Sequence, residues 1–570
     1  MKKLLLIPIL IMLAVPGLAQ QQSLRDIVTE HRLDNGMRFL FVQRPGAPMI
    51  TGGWVAHVGS VNERPGITGI SHLFEHMMFK GTSTIGVKDA ALDDQLRAEL
   101  DVLRGKMFLL ERDNRLKVRT GQAESMDDPV LVSTEMKELQ EQFQALIEKQ
   151  RNNIIKDQFD QIYTEQGATG MNAFTNEDMT VYLLRVPRNK LELWFWMESD
   201  RLADPVFREF YSERDVVYEE RRMRTESTPT GVQNEVYKSM FWRGHPYGWP
   251  IVGWPSDISA ISREQAENFF DVYYAPNNLT AVLVGDFDEA QALKWAKEYF
   301  GQIPRGEKLP PDVVTSYMPP AGDFVYRAEV DAPPSATLSF RTTAFGGEDH
   351  PALMVLADVL NGKTGRLHKR LVLKDQLATS ASAMDHAQKY DGMFELHANG
   401  KSGVDPDALK LILLEEVARI QTDGITEYEL KKVRNNLVAD NFRRLEDNFF
   451  LAIQLLYYDG LRDWTSMETI IDRVSQVSRE DVQRVAAKYL LAENMGSKLF
   501  TRKAGGEPED PELANFSAEQ KQAAQQMLTQ MKSMPAEKQK EMLPRLESMR
   551  SQAPAEMQPV IDYVIKQLSK

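Results

Sequence analysis

The 570-residue sequence contains no cysteine. That absence excludes disulfide staples, thiol catalysis, thiolate zinc sites and a lipid-modified cysteine. Any metal site must be built from histidine and carboxylates, and histidine is scarce, at nine residues. Basic charge is also in deficit: 68 Lys and Arg stand against 82 Asp and Glu, a net charge of −14. No basic tract suited to phosphates is present, so nucleic acid is not an expected partner. Long apolar runs are missing except near the start, where Leu4 to Val15 follows Lys2 and Lys3. About a dozen residues is too short to span a bilayer comfortably. With Gly17 and Ala19 at the small-residue positions of a cleavage site, residues 1–19 are expected to be a signal peptide. The chain is then expected to be periplasmic or secreted, without stable membrane insertion.

What is present is enough apolar residue, 42%, to build cores. The length exceeds one ordinary core and suggests two to four domains. "MRFLFVQ", "TGGWVAHVGS" and "TVYLLRV" read as strands. From about 87 to 156 the pattern changes: Leu92, Leu96, Leu100, Leu103, Met107 and Leu110 recur at spacings of three and four, and so do Met136, Leu139, Phe143 and Leu146. This predicts a helical hairpin, a projecting insertion rather than a catalytic part. Trp194, Trp196 and Met197 are expected in the core of a helix. A proline-rich passage from Pro304 to Pro334 reads as a linker. The two halves echo each other: "ISREQAENFFDVYYAPNN" and "VSREDVQRVAAKYLLAEN" align at an offset of 216 positions, Ser262 to Ser478. Both begin with a helix-capping Ser, and Ser262 with Gln265 makes a capping box, so a duplicated domain is favoured.

The chemistry concentrates in "SHLFEHMMFKGT", residues 71–82. After the Gly- and Pro-containing loop "NERPGITGIS", Ser71 is a plausible N-cap, which puts His72 and His76 on a helix. Four apart, they share one face and can offer two imidazoles to one ion, with Glu75 beside that face. Two histidines alone hold zinc poorly; a third protein ligand is required. Glu213, Val216, Val217 and Glu220 fall on one helical stripe, and a carboxylate on an apolar stripe is costly unless paired or bound to a cation. Glu220 is then a ligand and Glu213 an auxiliary acid, with Glu219 among polar neighbours. Periodicity leaves a second reading open, in which these acids form surface pairs with Arg214, Arg221 and Arg222. His31, His57, His245, His350, His368, His386 and His397 have no neighbouring ligand pattern and are expected to be structural or exposed.

The segments "LDNGMRFLFVQ", "HVGSVNERPGITGISHLFEHMMFKGT", "NAFTNEDMTVY", "ERDVVYEERRM" and "HPYGWPIVG" resemble, in order, the pitrilysin/insulinase family of zinc metallopeptidases, marked by H-x-x-E-H. The resemblance runs on through "VLNGKTGRLHKRLVLKDQLATSASA" to "REDVQRVAAKYL", roughly residues 28 to 500 apart from the insertion. It implies an α+β fold of two homologous domains, each a mostly antiparallel sheet packed with helices, plus the helical-hairpin insertion and a helical C-terminal tail. The boundaries expected are 28–302 for a zinc-binding domain, 303–335 for the linker, 336–502 for a second peptidase-like domain and 503–570 for a polar tail. It further implies one zinc per chain on His72, His76 and Glu220, with Glu75 as general base and Glu213 supporting. Asn172 and Ala173 would bind peptide as an added strand. "HPYGWP" is assigned no chemistry.

One departure stands out. Where family members carry an Arg and a Tyr seven residues apart in the second half, this chain has Val372 and Thr379, with Arg370 nearby. The chain thus resembles the zinc-bearing subunit of two-subunit bacterial members, completed by a partner that supplies the pair; a homodimer of weakened activity is the other option. The expected activity is zinc-dependent hydrolysis of peptides or unfolded segments. The alternatives are a non-catalytic structural or assembly subunit, or a chaperone-like adaptor working through residues 87–156 and the tail.

Overall fold

The computed structural model describes residues 23–316, 318, 322–503, 511–513, 516–532, 534, 536–550, 553–554 and 557–568. The signal-peptide expectation at 1–19 lies outside them. Eleven strands form two sheets: β1 (Val28–Arg32), β2 (Arg38–Gln43), β3 (Met49–Ala56), β4 (Thr169–Thr175), β5 (Thr180–Pro187), β6 (Leu279–Gly285), β7 (Phe324–Val330), β8 (Ser335–Thr342), β9 (Ala378–Ala387), β10 (Gly392–Gly400) and β11 (Met495–Arg502). The first sheet runs β1-β2-β6-β3-β5-β4 and the second β7-β11-β8-β10-β9. Each has one parallel pair, β2 with β6 and β7 with β11, and is otherwise antiparallel. Dropping β1, the two orders coincide strand for strand.

The duplication extends to hydrogen bonds. Helices Arg263–Tyr273 and Arg479–Tyr489 both start in a capping box, Ser262 with Gln265 and Ser478 with Asp481. Both deliver the chain into an interior strand, β6 or β11, at the offset seen in the sequence. At the turn between, Asn278 donates to the Tyr273 carbonyl at 2.8 Å, and Asn494 to that of Tyr489 at 3.1 Å. The passage 303–335 is not only a linker, because β7 lies inside it. Its prolines at 333 and 334 turn the chain between β7 and β8, and β7 alternates in exposure as an edge strand does.

The first sheet is buried on both faces. One face carries Trp54, Tyr182, Trp194 and Phe74 in the larger core. The other, with Leu40, Val55, Val181 and Val282, is covered by a helix from the second half of the chain, Asn448–Leu461, through Leu451, Leu455 and Leu456. Gly53 permits that approach: a Cβ there would sit 3.0 Å from Leu456 and 2.7 Å from the Tyr182 carbonyl oxygen. Asp459 on this helix is fully buried and pairs with Arg38 at 3.0 Å and His57 at 3.2 Å, bolting the two halves together. Trp194 and Met197 are buried as expected, whereas Trp196 is 40% exposed because it faces away from the sheet.

The hairpin forms from helices Ala90–Arg119 and Thr134–Asn153, capped by Asp89 and Ser133. Its facing Leu, Met and Phe residues do not make a separate core; they continue the core of the first sheet. Its base is fixed by Arg208, 1% exposed, which pairs with Asp93 at 3.1 Å and donates to the carbonyls of Lys80, Thr82 and Ile85. A projecting appendage was the expectation; the buried Arg208 knot instead makes the hairpin part of the first unit. The tail contributes helices Ala518–Lys532, Ala536–Arg550 and Gln558–Leu568, packed around Met531, Leu546, Ile561 and Val564.

In the second unit, Asp349 precedes helix His350–Leu360 and is bonded by Lys488, Arg484 and Tyr489 at 2.7–2.8 Å. Burial opposes its ionisation, but these three partners outweigh it and hold the carboxyl down at about 2. A folded-state pKa below the unfolded value of about 3.9 adds stability that is complete above that value and is lost as pH falls toward 2. Acid titration followed by circular dichroism should therefore show the chain weakening between about pH 4 and 2, and Asp349→Asn should flatten that part of the profile.

Candidate zinc centre and peptide cleft

The H-x-x-E-H segment forms the short helix Ile70–Met77. Its N-cap is Gly69 in the left-handed region, φ 91°, not Ser71, which is already inside the first turn. A Cβ at Gly69 would collide with the Val252 carbonyl, so only glycine lets "HPYGWPIVG" pass so close. Capping falls to Glu63, whose carboxylate accepts from the backbone N–H groups of Gly69 and Ser71 at 2.8 Å each. Remote capping of this kind satisfies donors that a helix start otherwise leaves unmade. Leu73, Phe74 and Met77 face the core, where Phe74 packs on Tyr274 and Phe269. That orientation turns His72 and His76 the other way, their ring centroids 4.9 Å apart.

The second helix, Phe210–Arg221, crosses this one and continues into a wider π-type turn, Arg222–Glu226. It brings Glu220 to the imidazoles: Oε2 lies 3.7 Å from His72 Nε2 and 3.2 Å from His76 Nε2. Donor atoms of the three residues all fall within 4.8 Å of one another, the only such group among the described residues. The other ring nitrogen of His76, Nδ1, pairs with Glu213 at 2.9 Å, and Lys80 holds the far oxygen of Glu213 at 2.6 Å. Val216 is 50% exposed, so the stripe carrying the two acids is not uniformly buried; of its two valines only Val217 is buried. The surface pairs take a different form from that expected. Arg222 binds Glu219 at 2.9 Å, Arg221 binds Glu235 at 2.8 Å, and Glu220 is gripped instead by Arg224 at 2.6 Å.

Electrostatics suit a cation. Burial, with His76 and Arg224 nearby, pushes His72 down to about 3, so its imidazole is neutral and has a lone pair to give. Burial opposes ionisation of Glu213 too, but His76 and Lys80 outweigh it and lower its pKa. A carboxylate on the distal nitrogen of a histidine fixes ring and tautomer, leaving Nε2 for a metal. Two imidazole nitrogens and one carboxylate oxygen with room for water are the donor set of a catalytic zinc site, and the residues fit that ion. Burial raises the pKa of Glu75, against a bond with Thr175.

Glu75 and His76 open onto a cleft of about 660 Å³ that is also lined by Met171, Asn172 and Ala173 of β4. β4 ends the first sheet, bonded to β5 alone, with a register shift between Thr169 and Asn172. Its outer backbone groups are therefore free to pair with another strand. Val372 and Thr379 are far from this chemistry in role: Val372 packs on the second core, and Thr379 on β9 donates to the Asn399 carbonyl. Arg370 is tied by Asp375 and by Glu415 at 2.9 Å. Sequence reasoning missed Glu63, Lys80 and Arg224; only Arg224, four residues after Glu220 on one helical face, left a readable signal.

Comparison with known proteins bears on the family and the fold. Residues 38–93 match the family model for insulinase (peptidase family M16), and residues 260–437 match that for the peptidase M16 inactive domain. Two segments of the chain thus match domains of peptidase family M16. It is 27% identical over 350 residues to the zinc protease PqqE of Helicobacter pylori, covering 60% of this chain and 78% of that one. It is 22% identical to the uncharacterized zinc protease YmxG of Bacillus subtilis, over 83% of this chain and 98% of the relative. In fold the chain is similar to a crystal structure of a protease from Helicobacter pylori, with a TM-score of 0.67 and 22% identity, over 83% of this chain and 99% of that one. It is also similar to pitrilysin, with a TM-score of 0.61 and 16% identity, over 85% of this chain but 46% of that larger one.

Replacing Glu213 by Gln should weaken zinc binding about 10- to 100-fold without unfolding the chain, because it removes the charge behind His76. Competition with a chromogenic chelator measures this; unchanged affinity would mean that Glu213 does not support the ligand.

Proposed function

We propose that the chain is a zinc-dependent endopeptidase that hydrolyses peptides or unfolded protein segments. The observation that carries this reading is the convergence of His72, His76 and Glu220 beside Glu75, in a cleft continuous with the open edge of β4. One zinc per chain, held by those three side chains, would supply Lewis acidity and lower the pKa of water. Glu75 takes the proton of the attacking water and returns it to the leaving amine, and its raised pKa suits both transfers. Asn172 and Ala173 align the substrate backbone as an extra strand, a mode that needs an extended segment and therefore excludes folded proteins.

The zinc half of the site is present, while the second unit offers Val372 and Thr379 where an Arg and a Tyr would meet the developing oxyanion. Losing such donors costs several kcal/mol of transition-state stabilisation, on the order of 3. We therefore assign the chain a family partner that contributes the missing pair; the other option is a homodimer of weakened activity, because a second copy carries the same Val372 and Thr379. Its location, on the N-terminal sequence pattern, is the periplasm or outside the cell. One observation favours a second reading, a non-catalytic assembly subunit: the second half matches a domain described as inactive. The intact donor set in the first half favours the peptidase. Involvement of the hairpin in the cleft weighs against a separate adaptor role for it.

Glu75→Gln should keep zinc at the wild-type stoichiometry while cleavage of a quenched peptide library falls by about 10²- to 10⁴-fold. The assay is run with and without a candidate family partner. Full zinc occupancy with no cleavage under either condition would favour the assembly subunit.

A further inference from the structure

Two cavities meet at one side chain of the hairpin. The cleft beside Glu75 and His76 is lined by Arg151, Ile154 and Ile155, and a second cavity of about 660 Å³, behind Glu220, is lined by Phe143, Ile147 and the same Arg151. Arg151 sits in the last turn of helix Thr134–Asn153 and is exposed. The segment after it is held firmly: Ile154 bridges to Val87, Ile155 N–H donates to the Gly86 carbonyl at 3.0 Å, and Asn153 exchanges bonds with Asp89. The hairpin therefore supplies a fixed wall to the cleft, with a cation at its mouth.

Accounting for charge isolates that cation. In the cleft, Glu213 and Glu209 face Lys80 at 2.6 and 3.9 Å, and Asp157 faces Lys156 at 3.9 Å. In the second cavity, Glu220 is taken by Arg224, Glu219 by Arg222, and Asp215 by Arg214 at 3.8 Å. Glu75 stays available for proton transfer. Among the described residues, Arg151 is the cation of these two cavities that forms no ion pair. A guanidinium is a planar five-donor fork matched to a carboxylate, and it is worth most where a partner arrives already partly desolvated.

Resting on the peptidase reading, we propose that Arg151 is a specificity residue that binds a carboxylate of the peptide, either an acidic side chain near the scissile bond or the chain's own C-terminus. The hairpin would thus select among peptides that the β4 edge, reading backbone, accepts alike.

The test walks a single Glu through a C-amidated quenched peptide, each version paired with its Gln twin, and adds the Gln peptide with a free C-terminal carboxylate. kcat/KM is measured for wild type, Arg151→Gln, Arg151→Lys and Arg151→Glu, and dissociation constants for the same peptides are measured on a Glu75→Gln background. Wild type should favour the carboxylate by about tenfold or more at one or two positions. Arg151→Gln should level the preference, Arg151→Lys keep part of it and Arg151→Glu reverse it, all with unchanged zinc content. A preference among the Glu peptides identifies the side chain as the source; one confined to the free acid identifies the C-terminus. Equal handling of every pair by wild type, or a preference that survives Arg151→Gln, overturns the proposal. Should wild type cleave nothing with or without a candidate family partner, the peptidase reading falls, while the dissociation constants still decide for or against Arg151.

Discussion

Two imidazoles from one helix and one carboxylate from another must come within 4.8 Å, and the rest of the first unit is arranged around that requirement. Such a cluster is unfavourable by itself: two imidazoles and an anion crowd together in a half-buried place, and burial keeps His72 from relieving the anion by taking a proton. The structure answers with fixed positions. Phe74 anchors one helix on Phe269 of helix Arg263–Tyr273, Glu63 closes its start, and Arg208 ties the segment that follows it to the hairpin. Lys80 and Arg224 each hold the outer oxygen of one acid, so that the inner oxygens of Glu213 and Glu220 point at the histidines.

Duplication explains why a chain of this size devotes half its length to a unit without the motif. The second sheet repeats the strand order and even the Asn-to-Tyr turn bond of the first, yet the helix equivalent to Ile70–Met77 is His350–Leu360, with an apolar interior instead of ligands. The halves are not merely tethered. Helix Asn448–Leu461 belongs by chain order to the second half and covers the back of the first sheet, where Leu455 and Leu456 bury apolar area worth about 1.5–3 kcal/mol each. Asp459, bound to Arg38 and His57, sets the register of that contact; removing either partner would strand a buried charge.

The parts of the fold legible in the sequence were those governed by local period. Strands β2, β3 and β5, the hairpin, the capping serines at 262 and 478, and the internal repeat all follow from spacing along the chain. The i, i+4 relation of His72 and His76 belongs to the same class, and so does the choice of Glu220 on the stripe of Glu213. Contacts made by distant segments were not legible. Ser71 had the composition of a cap, but Gly69 and a folded-back Glu63 took the role. The prolines around β7 suggested a linker because an edge strand with alternating exposure carries little apolar signal. The hairpin pattern is legible as helical, but its integration depends on Arg208, more than fifty residues beyond its end. Arg151 had no local mark at all, since its position is set by the bridge between Ile154 and Val87.

On the proposed function, His72, His76 and Glu220 together hold one zinc ion. X-ray absorption at the zinc edge of the loaded chain tests it most directly. Four light donors are expected, two of them imidazole nitrogens at about 2.0–2.1 Å, with multiple-scattering signals from two rings that fall to one in His76→Ala. A spectrum with one imidazole or none, or one unchanged by His76→Ala, would contradict it.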